Sequence, residues 1–298
     1  MGIRKSRAEK LFDIGNAALL ILASVTILYP FWQQLVISFS QPAEAQRIGL
    51  HLYTAQPTLD AYKRIFQGNT IFDAYYWTIL RTVLGTVLTV LVTSMLAYPL
   101  AKTYLWARKF WMWMVVFTMF FSGGLIPMYL LVKNLHLTNT IWALVLPGVA
   151  SAWNIIILRN FFYSIPEELE ESARMDGAND LYVFFRIIVP LSAPVMATVT
   201  LWTIVHHWNA WFDALIYITG NEIKVLQILL REVLNDASQM SGLNPLLAGS
   251  EADMDGQHYT SESIKAAILM VVILPIVCVY PFLQKYFVKG IMIGAVKG

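Results

Sequence analysis

Apolar residues gather along this chain in long runs rather than in alternation. Six runs reach the length of about 20 mostly apolar residues that crossing the hydrocarbon of a bilayer requires. They cover residues 12–39, 72–100, 110–132, 140–161, 193–218 and 264–282. The pattern predicts an all-α integral membrane protein with six transmembrane helices forming a single domain over residues 1–298. Most connections are short. The longer polar stretches are a connection at 163–192, loops at about 40–71 and 219–263, and a tail at 283–298.

Composition agrees with this reading. Of 298 residues, 57% are hydrophobic and 13% charged, and the mean hydropathy of +0.58 exceeds that of an ordinary soluble domain. A formal net charge of +2 is too small to mark a nucleic-acid partner. The lone cysteine, Cys278, lies in an apolar run and can form no internal disulfide. Arg4, Lys5, Arg7 and Lys10 precede the first run as they would in a signal peptide, but the run is longer than such a peptide's apolar core and no small-residue cleavage pattern follows promptly. It is read as an anchor.

Basic residues set the orientation, since cytoplasmic connections carry the excess of Lys and Arg. One side holds the four N-terminal cations, then Lys102, Arg108 and Lys109, then Arg159, Arg174 and Arg186, and finally Lys285, Lys289 and Lys297. Both termini and the 163–192 connection are therefore expected in the cytoplasm, and 219–263 outside.

That connection concentrates acid in an oily chain: IPEELEESARMDGANDLYVFFRIIVPLSAP, from Ile165 onward, holds Glu167, Glu168, Glu170 and Glu171. Ser164 is placed to cap a helix, with Pro166 in its first turn and Glu167 closing a capping box. Glutamates at a helix start also favour the positive end of the macrodipole. The helix is expected to run to about Asp176, Gly177 to turn the chain, Asn179 or Asp180 to cap a second short helix, and Pro190 to close it. Leu169, Ala173, Leu181, Phe184, Phe185 and Ile188 then give apolar faces that need cover.

The fifth run, LWTIVHHWNAWFDALIYI, places Trp202, His206 and Asn209 at helical spacing, and Trp208 with Phe212 likewise. Polar groups inside a span face a cavity or another helix. Aromatic faces stack on the C–H patches of sugars while His and Asn bond hydroxyls, so Trp202, His206, His207, Trp208 and Asn209 are candidates for a substrate path, with Asn154 and Trp153 of the fourth run. Helix packing and interfacial anchoring of the tryptophans are the rival readings. His206 and His207 lie about 100° apart on a helix, which is poor for one metal, and no metal site is expected. Asp253 and Asp255 lack the remaining ligands of a calcium loop. Asp213 is the main carboxylate within a span, and an ion-gradient-driven secondary transporter is the alternative function. No nucleophile, base and orienting group stand together as an enzyme site would need.

Glu171-Ser172-Ala173, three residues, Gly177, nine residues and Ile187-Ile188-Val189-Pro190 resemble the EAA loop of ABC importer permeases, with Ser172 in place of the middle Ala and Val189 in place of Leu. FSGGLIPMYLLVKNLHLTNTIWALVLPG, from Phe121, and PFLQKYFVKGIMIGAVKG, from Pro281, are similar to carbohydrate-uptake permeases of the maltose type, in the branch of LplC and YtcP. The resemblance implies half of a translocation path for an oligosaccharide, an acidic fragment of alginate or pectin among the candidates. It also implies a second permease, a dimer of cytoplasmic ATPase subunits and an extracytoplasmic binding protein as partners, in a bacterial inner membrane. Glu170, Glu171, Ser172, Ala173, Asp176, Gly177 and Pro190 would then couple to the ATPase, Leu169, Ala173 and Met175 helping to anchor and Glu171, Asp176 and Gly177 setting the geometry, and the tail residues Lys289, Gly290, Gly294 and Lys297 would contact it. This chain carries no Gly-x-x-x-x-Gly-Lys-Ser/Thr run, so no cofactor is expected on it, and ATP with Mg belongs to the ATPase subunits.

Overall fold

The computed structural model describes residues 6–220, 222–236 and 259–295, with the side chains among them other than those of Asp236, Tyr280 and the residues beyond Pro281. Helix α1 (Arg7–Ser38) starts on a capping box, Ser6 Oγ accepting from the Glu9 N–H at 3.2 Å while the Glu9 carboxylate accepts from the Ser6 N–H at 2.7 Å. Two short helices follow, α2 (Pro42–Ala45) and α3 (Asp60–Phe66), before α4 (Thr70–Ala101). Helices α5 (Arg108–Phe120) and α6 (Leu125–Asn134) flank Gly123 and Gly124. Helix α7 (Ile141–Val145) runs into a 3-10 turn (Leu146–Gly148) ahead of α8 (Ala152–Tyr163).

The former loop holds α9 (Glu168–Met175) and α10 (Asp180–Val183), a π turn (Phe184–Ile188) and α11 (Val189–Leu191). It leads into α12 (Ala193–Asn209), α13 (Phe212–Tyr217), α14 (Leu226–Asp236) and α15 (Ser261–Ala295). Among the described residues all regular structure is helical.

Three helices are long and apolar enough to cross a membrane alone, α1, α4 and α15 as far as Val279. The other apolar runs are broken. Helices α5 and α6 meet at 109°, α7 with its 3-10 turn meets α8 at 51°, and the segment Asp180–Leu191 meets α12 at 84°. The unbroken third and fourth spans expected from hydropathy are thus corrected to bent pairs, because Gly124 takes a positive φ of 84° and Pro147 with Gly148 interrupts the ladder. The fifth run also divides, α12 ending at Asn209 with an extended Ala210. Nor are the polar loops wholly irregular, since α2, α3 and α14 lie in them; Asp253 and Asp255 are outside the described residues.

Residues 1–69 with 230–273 form one compact unit and 70–229 with 274–298 another. In the first, Ile37, Ala45 and Ala266 make a small core, and Ser38 shares a 2.8 Å hydrogen bond with the Tyr62 hydroxyl. The second is organised on α4. Its buried stripe Thr78, Thr82, Gly85, Thr86, Thr89, Thr93 and Ala97 is made of small residues, so α8 and α12 approach its backbone closely. The larger core of this unit joins Ala97, Tyr98 and Leu100 of α4 to Leu158 and Phe162 of α8 and to Val183, Phe184 and Ile188.

Candidate functional site

Helix α9 has two faces with different work. On one, Glu167, Glu170 and Arg174 recur at helical spacing and meet the end of α4 and the residues after it. Glu170 is only 5% exposed and forms an ion pair with Lys102, while the Tyr98 hydroxyl donates to its other oxygen at 3.2 Å. Thr103 donates to Glu167 at 3.3 Å, and Arg174 donates to the Tyr104 hydroxyl at 2.6 Å and to Asp180 at 2.8 Å. The Tyr104 hydrogen bond holds the Arg174 guanidinium above its ordinary range. On the opposite face Glu168, Glu171, Ser172 and Met175 are exposed, Met175 at 88%. Glu170 is therefore corrected from an outward contact to an inward one, and Ala173 is half-buried against the core. Glu171 and Ser172 remain outward.

The turn after α9 forms as the glycine demands. Gly177 has φ +88°, the Ala178 N–H donates to the Ala173 carbonyl and the Gly177 N–H to the Arg174 carbonyl, both at 3.0 Å, which is a Schellman ending. Asp176 is the exposed residue before it, and Asn179 caps α10 by accepting from the Tyr182 N–H at 2.8 Å. The expected start is corrected, however. Ser164 ends α8 in helical conformation and its hydroxyl donates back to the Phe161 carbonyl at 2.7 Å, so α9 begins at Glu168 without a side-chain cap. Pro190 does not close the second helix, which widens to a π turn ahead of the ring and continues through Leu191 to the bend at Ser192. The apolar face expected there splits, with Phe184 and Ile188 buried beside Val183 while Leu169, Leu181 and Phe185 stay exposed.

The second site is a cavity of about 550 Å³ lined by Thr89 of α4, Gly148, Ala150, Ser151, Trp153 and Asn154 around the α7 to α8 break, and Trp202, Thr203, His206 and His207 of α12. It brings Asn154 and Trp153 together with Trp202, His206 and His207. Ser151 caps α8, accepting from the Asn154 N–H at 3.4 Å, and so sets Asn154 in the helix's first turn. His207 is buried and lies against Gly85, where a Cβ would stand 2.4 Å from Nε2. Trp208 and Asn209 are not in the lining. Trp208 packs near Tyr75, ring centroids 6.5 Å apart, and Asn209 is the exposed last residue of α12. Thr89, Ser151 and Thr203 were missed, although the threonine period along α4 is a readable signal. Among the described residues no charged carboxylate, ammonium or guanidinium lines this cavity.

Asp213, the candidate for an ion relay, instead pairs with Arg81, which is 1% exposed and also donates to the Ala210 carbonyl at 2.9 Å. That carbonyl is one the break after α12 releases. Of the tail, α15 carries Lys289, Gly290 and Gly294 as continuous helix rather than a separate segment, and Lys297 lies outside the described residues.

Broken apolar helices around a polar cavity, with an amphipathic pair of short helices on one connection, define a membrane permease. Residues 91–293 match the family described as binding-protein-dependent transport system inner membrane component, and the chain belongs to it. It is 38% identical over 291 residues to the polygalacturonan/rhamnogalacturonan transport system permease protein YtcP of Bacillus subtilis (strain 168), covering 97% of this chain and 99% of that one. Protein LplC of the same organism is 40% identical over 296 residues, covering 99% and 98%. Among solved structures, a bacterial ABC transporter involved in the import of the acidic polysaccharide alginate has a chain that aligns with a TM-score of 0.88 at 32% identity, covering 96% of this chain and all of that one.

Proposed function

We propose that this permease forms half of the path by which an ATP-driven importer takes up an oligosaccharide, an acidic fragment released from a pectin- or alginate-like polysaccharide. A second permease completes the path, an extracytoplasmic binding protein delivers the sugar, and two cytoplasmic ATPase subunits hold the ATP and Mg. Both termini and the loop bearing α9 face the cytoplasm. The chain acts without a catalytic site of its own.

The observation that carries this reading is the division of α9: one face attached to the end of α4, the other exposed with Glu171, Ser172 and Met175. An interface takes its affinity from apolar anchors and its register from charge. Leu169 and Met175 supply the first, Glu171 and Asp176 the second, and Gly177 the turn between the helices. The tail at Lys289, Gly290, Gly294 and Lys297 adds a second contact to the ATPase.

Support for a sugar comes from the cavity. Trp153 and Trp202 offer faces for stacking, while Asn154, His206 and the buried Thr89 and His207 offer hydrogen bonds; among the described residues Thr89 Oγ1 and His207 Nδ1 have no hydrogen-bond partner. A wall of hydrogen-bond donors without carboxylates accepts a uronate carboxylate without requiring one. The assembled transporter in proteoliposomes, with its binding protein, tests this: ATP-dependent uptake of oligogalacturonate is expected, abolished by ATP depletion and insensitive to an uncoupler, and lowered about tenfold by His206→Ala or Trp202→Ala with assembly retained. Uptake driven by an ion gradient without ATP would overturn the importer, and wild-type uptake by both variants would overturn the substrate path.

A further inference from the structure

A helix seated on an ATPase moves the membrane helices only through whatever fixes it to them. Helix α9 has eight residues, and at its ends stand the turn at Ser164–Glu167 and the glycine turn at Asp176–Asn179. Its orientation is therefore set by side chains. Three rungs join it to the segment from Tyr98 to Tyr104: Glu167 with Thr103, Glu170 with Tyr98 and Lys102, and Arg174 with Tyr104. The outer two are exposed and are weakened by water and salt. The middle one is buried on both sides, with side-chain exposures of 7% for Glu170 and 6% for Lys102. The Lys102 ammonium also stands 4.6 Å from the centroid of the Tyr98 ring.

We propose that Glu170 is a positioning residue for transport: through its buried pair with Lys102 and its bond from Tyr98, it makes α9 and the end of α4 one mechanical body. This rests on the reading that the outer face of α9 docks on an ATPase. Separating the pair would strand two charges away from water, so α9 carries α4 with it when the ATPase closes. Lys102 directly follows the last residue of α4 and its N–H bonds the Pro99 carbonyl at 3.0 Å, so the load enters the helix at its end. Thirteen residues back, about 20 Å along the axis, Thr89 lines the cavity, and Gly85 lies against His207 one turn further. The outward residues Glu171, Ser172 and Met175 receive the force; Glu170, on the inward face, hands the force on.

The test uses the complete transporter in proteoliposomes and reads sugar imported per ATP hydrolysed, with ATPase copurification as the measure of assembly. Lys102→Met and Glu170→Gln are expected to copurify and hydrolyse ATP while that ratio falls about tenfold or more, and the exchange Lys102→Glu with Glu170→Lys to return it to within about threefold of wild type. A wild-type ratio in either single variant overturns the proposal, as does an exchanged pair no better than the singles. Tyr98→Phe keeps both charges and the ring, and decides the matter if the charge variants do not accumulate: a fall of about two- to threefold is expected, and no fall overturns it. Failure of the wild-type chain to copurify with an ATPase would instead overturn the docking reading beneath it.

Discussion

Two buried cations belong to α4, Arg81 three turns in from its start and Lys102 directly after its last residue, and the two are built differently. Lys102 is enclosed with Glu170, which a tyrosine hydroxyl also bonds; about 30 Å back along the axis, Arg81 is enclosed but its partner Asp213 keeps 30% of its side chain exposed. The separation is close to the thickness of a bilayer's hydrocarbon core, about 30 Å. The closed pair joins α4 to a helix that faces outward from the bundle. The half-open pair holds the broken segment after α12, Arg81 satisfying the Ala210 carbonyl that the break releases. One pair is built to transmit, the other to hold a discontinuous helix with its carboxylate only partly enclosed.

The largest expected effect is at the closed pair. Glu170→Ala leaves the Lys102 ammonium buried without its partner and should cost about 3–5 kcal/mol of stability, read as a fall in the unfolding midpoint in lipid nanodiscs. Asp213→Ala should cost about 2 kcal/mol, because the Ala210 carbonyl still accepts from Arg81 and the lost carboxylate was only partly enclosed. Equal losses at the two positions would remove the distinction. Between the two pairs, Gly85→Ala places a methyl within 2.4 Å of the His207 ring, which must swing away at a cost of about 1–3 kcal/mol. That variant should assemble and lose uptake, since the displaced ring lines the cavity; normal uptake would show that the close approach of α4 and α12 does not shape the path. The smallest effect is at the turn, where Gly177→Ala must hold φ at +88° and should cost about 1 kcal/mol, with the outward face of α9 misaligned and sugar delivered per ATP reduced.

These expectations also show which physics a sequence displays. The apolar runs marked the membrane correctly because hydropathy adds along the chain, and the same addition hides a bend: Gly123-Gly124 and Pro147-Gly148 sit inside runs whose mean hydropathy barely notices them, although each dipeptide is a turn signal. Gly177 and Asn179 were legible because their roles are local, one needing a left-handed backbone and the other accepting from an N–H three residues on. Ser164 was equally local but ambiguous, since the residue that could cap α9 also ends α8, and its hydroxyl bonds backward. Glu170 was illegible in a different way. Four neighbouring glutamates look alike in sequence, and only Lys102, 68 residues earlier, selects the one that turns inward. The cavity was half legible: Trp202, His206 and His207 stood out as polar and aromatic groups in an apolar run, while Thr89 and Ser151 come from elements brought there by packing on the small-residue face of α4.

The central claim is that α9 has one face for the membrane domain and one for an ATPase, and crosslinking reads it directly. In a background with Cys278 replaced by serine, single cysteines at Met175, Ser172 and Ala173 are to be labelled with a short benzophenone maleimide and photoactivated in the assembled transporter. Crosslinks from positions 175 and 172 to the ATPase subunit, with none from position 173, are the predicted result. A crosslink from 173 equal to those from the outer positions, or none from 175 in a complex that hydrolyses ATP, would contradict it.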